Sequence, residues 1–169
     1  MINTKDLHYL LEEEKYSGYQ TLYASYYKSL FRKYIEEKLF KICFEHEKYL
    51  FSHAGFTKTW CKNNKINGQI TSFCEDVNKF LYEDINIFRF TPGKKDECHG
   101  DEICQGPMWV RPKSLKEDGI AGYTQVVGHT MQKELSITDS KFIFVDTLET
   151  SKEFLLVHKH GMSVAKVNS

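Results

Sequence analysis

Two histidines in this 169-residue chain each follow a short run of strand-forming residues. His53 comes directly after the run YLFS, and His129 comes directly after the run YTQVVG. An imidazole at the end of a strand is held rigidly where loops converge, and open α/β sheets carry their functional groups there. Such a side chain can bind a metal ion or transfer a proton. The plainer alternative is that each histidine only makes a hydrogen bond at a strand end.

Small residues flank both histidines. Ala54 and Gly55 follow His53, and Gly128 precedes His129. We expect these residues to leave room for a ligand to approach the imidazole rings and to let the backbone turn sharply. The shared pattern predicts that the two histidines belong to one site.

Other histidines and cysteines have less specific spacing. Cys98, His99 and Cys104 lie in one polar loop and could bind zinc, but the loop lacks the paired Cys-x2-Cys spacing of zinc sites, and a solvated loop is the alternative. His158 and His160 alternate on a predicted half-exposed strand, so we interpret them as surface residues.

Two amphipathic helices are predicted before the second histidine. Within a helical region spanning residues 6–40, apolar side chains recur every three or four positions from Leu22 to Leu39. A second helix is predicted over residues 72–83, where Ser72 and Glu75 have the spacing of a capping box.

The strands are predicted from alternation and from turn residues. A β-hairpin is predicted for residues 42–53, within a motif-bearing region 41–130, and a strand for residues 123–127. A closing antiparallel meander is predicted over residues 140–168, from three apolar runs at 142–146, 153–158 and 162–167. The sequence therefore predicts a mixed α/β fold in a single domain, residues 1–169.

Composition narrows the class of protein. Lys+Arg and Asp+Glu number 23 each, so the chain carries no net field that would attract nucleic acid or a membrane surface. No run of 18 apolar residues and no N-terminal signal pattern occurs, so we expect a cytoplasmic protein. The five scattered cysteines are an odd number, and we expect them to be free thiols.

Four motifs follow one another along the chain, from the second strand of the hairpin to the first closing strand. They are FSHAG at 51–55, PMWVRP at 107–112, VVGHT at 126–130 and FVDT at 144–147. Together they resemble the calcineurin-like metallophosphoesterases, in the branch of serine/threonine protein phosphatases and bacterial diadenosine tetraphosphatases. The resemblance covers the C-terminal half of that family's four-layer α/β/β/α sandwich.

The resemblance implies a two-metal hydrolase that acts on a phosphorylated substrate. His53 and His129 match the two histidines that bind the same metal ion, and imidazole suits Mn, Fe or Zn. Arg111 lies near the position where the family places a phosphate-contacting guanidinium, and the alternative is a surface arginine lying on the Trp109 ring. Met131 stands where other branches have a further ligand, which favours the protein-phosphatase branch.

The family's N-terminal ligand motifs do not occur in this sequence. Residues 2–10, INTKDLHYL, resemble the family's Gly-Asn-His-Asp segment, with Thr4 in place of the ligand asparagine and Lys5 in place of the catalytic histidine. We therefore expect only half of the dinuclear site, a chain that is inactive alone, and bound metal only if the site is completed. We also expect self-association or association with a missing N-terminal half; the alternative is a non-catalytic binding or structural module.

Overall fold

The structure is a computed structural model that describes residues 23–66, 72–91, 101–139, 141–159 and 161–167. The described helices are α1 (Ala24–Glu36), α2 (Lys58–Asn63), α3 (Phe73–Glu83), a 3₁₀ helix (Ile85–Phe88) and α4 (Pro112–Asp118). The strands are β1 (Cys43–His46), β2 (Tyr49–Ser52), β3 (Thr124–Val127), β4 (Phe142–Phe144), β5 (Glu153–His158) and β6 (Gly161–Lys166).

The main sheet has the strand order β1-β2-β3-β4 and is mixed. β1 and β2 form the predicted antiparallel hairpin, with Phe44 opposite Phe51. β2 runs parallel to β3, and β3 runs parallel to β4, so three strands point their carboxyl ends to the same sheet edge. The predicted mixed α/β fold is confirmed.

The three closing strands exist, but they do not form the predicted meander. β4 pairs in parallel with β3, whereas β5 and β6 form a separate antiparallel hairpin. Phe142 and Ile143 are both buried, as expected for a strand covered on two faces rather than for a half-exposed meander strand. The β5–β6 hairpin contributes Leu155 and Met162 to the apolar cluster around Val126 and Ile143.

Helix α3 forms where it was predicted, but its N-terminus is capped differently. The Ser72 hydroxyl donates to the Asp76 carboxylate and caps no backbone amide. Instead the Cys74 amide donates to the carboxylate of Glu45 on β1, at 2.7 Å. The Glu45 carboxylate on β1 thus takes the place of the local capping box. This hydrogen bond also ties α3 to the sheet. Phe73 and Val77 of this helix are fully buried in the main core.

Helix α1 confirms the amphipathic pattern over Ala24–Glu36, and residues 1–22 of the predicted helical region lie outside the described residues. Phe31 and Tyr34 contact the Phe40 ring, at centroid distances of 5.5 and 5.9 Å. Tyr26, on the other side of the helix, is 61% exposed. The side chain of Tyr26 therefore lies mostly in solvent.

The chain turns sharply at Gly55, two residues after His53. Gly55 has φ +108°, and a Cβ there would lie 2.6 Å from a Leu115 methyl group. The side chain of Gln125 on β3 holds the next residue, because it accepts from the Phe56 amide at 2.7 Å and donates to the Phe56 carbonyl at 3.0 Å. Gly55 is therefore required by the turn and by core packing.

Replacing Gly55 with alanine should lower the free energy of unfolding by about 2–4 kcal/mol, because the backbone strain and the clash with Leu115 add. Gly128→Ala is the matched control: its Cβ would meet only the His53 carbonyl oxygen, at 3.8 Å. We expect that control to change stability by less than about 1 kcal/mol. Urea unfolding of both variants measures the difference, and equal losses would contradict this account of Gly55.

Candidate functional site

The parallel pairing of β2 and β3 brings the two strand-end histidines together. Ser52 lies opposite Val127, so His53 and Gly128 are the next residues at the same sheet edge. The Gly128 amide donates to the His53 carbonyl at 3.0 Å and extends the pairing beyond both strands. His129 follows directly, which places its ring beside the ring of His53.

The two imidazole rings are in direct contact. His53 Nε2 lies 3.0 Å from His129 Nδ1, and the ring centroids are 4.8 Å apart. This distance is that of an N–H···N hydrogen bond, which requires one ring to donate and the other to accept. At most one of the two rings can then be protonated, since two imidazolium ions would face each other with donors only. The structure thus brings together the two residues that the sequence predicted for one site.

His129 has a strained backbone conformation. Its φ is +65°, in the left-handed region that residues other than glycine rarely adopt. A side chain kept there against a cost of about 1–3 kcal/mol is held by its surroundings, and such strain clusters at functional sites. The Trp109 ring stands edge-on to the His129 ring, with centroids 6.4 Å apart.

The surroundings favour the neutral form of both histidines. Burial lowers the pKa of His53, and the nearby Asp146 carboxylate partly opposes this. The pKa of His129 falls to about 4, mainly because of burial and then because of repulsion from His53 and Arg111. A neutral imidazole is the form that binds a metal ion, so neither ring has to lose a positive charge at neutral pH.

Asp146 is a neighbour of the pair that sequence reasoning did not assign to the site. It follows β4 at the same sheet edge, and its carboxylate acts on the pKa of both histidines. Its position after a third parallel strand was the available signal. The predicted meander did not reveal that signal, because it joined the three closing strands to one another and did not place the first of them parallel to β3.

Arg111 lies beside the histidine pair, at the start of α4. Its Nη1 donates to the Thr130 hydroxyl at 3.4 Å, and its charge lowers the pKa of His129. Pro112 occupies the first turn of α4, where its missing N–H is not needed. The guanidinium is thus near His129, and contact with a phosphate stays a prediction.

The small residues around the histidines act only in part as predicted. Ala54 is buried against Val127 and Phe142 in a core cluster, and the space beside Gly55 is filled by Leu115. Neither residue clears room for a ligand of the imidazole rings. The sharp turn is present at Gly55, and the open space is present only beside Gly128, where a Cβ would meet only the His53 carbonyl oxygen, at 3.8 Å.

The other candidate residues do not join this site. Cys98, His99 and His160 lie outside the described residues. His158 is exposed on β5, and Met131 is 56% exposed. The described cysteines Cys43, Cys61, Cys74 and Cys104 are free thiols, as predicted, and burial raises the pKa of Cys61 to about 12.

The histidine pair fits part of a metal site. Two neutral imidazole nitrogens at one point suit Mn, Fe or Zn. Within the described ranges, no group of three or more His, Cys, Asp or Glu side chains could hold a metal ion. His53 and His129 could therefore contribute two ligands, and further ligands have to come from elsewhere.

Comparisons with known proteins are sparse. No family model and no curated protein matches the sequence. The structure is similar to the crystal structure of a mutant cold-active protein tyrosine phosphatase, with 18% sequence identity and a TM-score of 0.48. The match covers 96% of this chain and 54% of the phosphatase, so the chain spans about half the length of that protein. Among the described residues, no helix is long and apolar enough to cross a membrane.

The depressed pKa of His129 predicts a specific pH dependence of stability. Because the folded state holds this ring neutral down to about pH 4, while the unfolded ring gains a proton near the ordinary value of 6.5, stability should fall as the pH drops from 6.5 to 4. His129→Asn removes the titrating group and tolerates the positive φ. Urea unfolding in EDTA should show a steeper loss of stability for the wild type, and parallel losses would contradict the assignment.

Proposed function

We propose that the chain is a metal-dependent phosphoesterase component of the calcineurin-like type, in which His53 and His129 bind one divalent transition-metal ion. The observation that carries the proposal is the 3.0 Å separation of His53 Nε2 and His129 Nδ1. Two imidazole nitrogens this close together would both reach one ion, which would take the place of the hydrogen bond between them.

The nearby charged residues support the same function. Arg111 puts a permanent positive charge next to His129, where it would attract a phosphate group. Asp146 puts a carboxylate near both rings, where it favours cation binding. A bound metal would supply an activated water and neutralise charge on the phosphoryl oxygens. The chain's own residues would hold and orient the phosphate beside it.

Hydrolysis requires more ligands than the histidine pair. Two neutral imidazoles do not balance the charge of a dinuclear centre, which needs carboxylates. The proposal assigns these ligands to a second polypeptide. We therefore propose phosphoester hydrolysis as the function of the completed site, and metal binding as the property of the histidine pair.

The first test is metal affinity. Calorimetric titration with Zn²⁺ or Mn²⁺ should show saturable binding, and His53→Ala or His129→Asn should weaken it at least about tenfold, the usual order for loss of one ligand or its support. His46→Ala and His158→Ala are matched controls, because both histidines are exposed and lie on other strands. Binding that is unchanged in the first two variants, or lost in the controls, would contradict the proposal.

The second test is turnover. The purified chain should not hydrolyse p-nitrophenyl phosphate in Mn²⁺ above the buffer rate, because a dinuclear hydroxide needs ligands beyond His53 and His129. The readout is p-nitrophenolate absorbance, with the His53→Ala variant as the baseline. Robust turnover that His53→Ala abolishes would show that the chain completes the site by itself and would overturn the need for a second component.

A further inference from the structure

A large apolar cleft opens beside the histidine pair. Its volume is about 790 Å³, and His53 and Gly128 form part of its wall. Most of the remaining wall is apolar and comes from α1, β1, α3 and the segments after them, including Phe31, Ile35, Ile42, Leu81, Ile85 and Met108. This volume lies in the range of small-molecule sites, which combine apolar walls with a few polar groups.

The polar groups of the cleft lie at the end of β2 and in the segment before β1. Ser52, the residue before His53, lines the cleft, and its hydroxyl is buried without a hydrogen-bond partner in the described part of the chain. A buried hydroxyl that lacks a partner calls for an explanation, and a bound acceptor is one. Lys41 adds a positive charge to the same wall. A ligand suited to this cleft has an apolar body and an anionic head that reaches Ser52 and His53.

We propose that the cleft binds the apolar part of a phosphate monoester whose phosphate lies at the histidine pair. This inference rests on the proposed function, since it names the substrate class of the same site. Simple alkyl or aryl phosphates have the required chemistry. Nucleotides, which are highly charged and hydrated, do not match the apolar walls.

Octyl phosphate is the probe, with inorganic phosphate and 1-octanol as reference ligands. Because each buried methylene contributes about fourfold in affinity, octyl phosphate should bind at least about tenfold more tightly than inorganic phosphate. 1-Octanol should compete with it whether or not metal is present. Competition in EDTA therefore tests the cleft even if the histidine pair binds no metal.

Variants of α1 locate the binding. Ile35→Trp should fill part of the cleft and weaken octyl phosphate binding at least tenfold while leaving inorganic phosphate unaffected. Tyr26→Trp adds the same side chain on the exposed side of the same helix and should change neither ligand. Circular dichroism should show that both variants are folded. Ser52→Ala, which keeps the shape of the cleft, should weaken the binding of octyl phosphate but not of 1-octanol.

Three results would overturn the inference. The first is equal binding of octyl phosphate and inorganic phosphate, and the second is octyl phosphate binding that Ile35→Trp does not change. The third is a dimer that Ile35→Trp dissociates while octyl phosphate shows no saturable binding, which would assign the cleft to an interface between copies. Loss of metal binding alone would contradict the proposed function and leave competition between octyl phosphate and 1-octanol intact.

Discussion

The site depends on the parallel pairing of β2 with β3. His53 and His129 are 76 positions apart in the chain, and only the register that places Ser52 opposite Val127 brings their rings into contact. A slip of one residue would turn each side chain to the other face of the sheet. The hydrogen bond from the Gly128 amide to the His53 carbonyl fixes this register at the strand ends where the two histidines lie. One backbone hydrogen bond contributes only about 1 kcal/mol net, so its main role is geometric.

Buried contacts hold the sheet edge in this geometry. Gln125 is fully buried and clamps both backbone groups of Phe56, so the turn after His53 is tied to β3. On the other side, α4 packs Leu115 against Ala54 and places Arg111 next to His129. The contacts of Gln125 and Leu115 maintain the positive φ of His129. Their packing offsets the backbone strain, and burial keeps the two imidazole rings neutral.

Local patterns predicted much of the fold and the histidine pair. Hairpin β1–β2, helix α3 and strand β3 follow from alternation and helical periodicity, which are properties of a few neighbouring residues. The pair itself was predictable because both histidines end apolar runs. Beyond the β1–β2 hairpin, the sequence did not predict which elements pair or pack with one another. The parallel pairing of β4, the Glu45 cap on α3 and the approach of Asp146 all depend on contacts between distant segments, which a local pattern does not specify.

The central claim is that the two histidine nitrogens bind one metal ion. The most direct measurement is an anomalous difference map from crystals grown with Zn²⁺ or Mn²⁺. The account predicts one peak about 2.0–2.3 Å from both His53 Nε2 and His129 Nδ1. The two rings would then share the ion in place of their hydrogen bond. A map with no peak between the two rings, while metal peaks appear elsewhere on the chain, would contradict it.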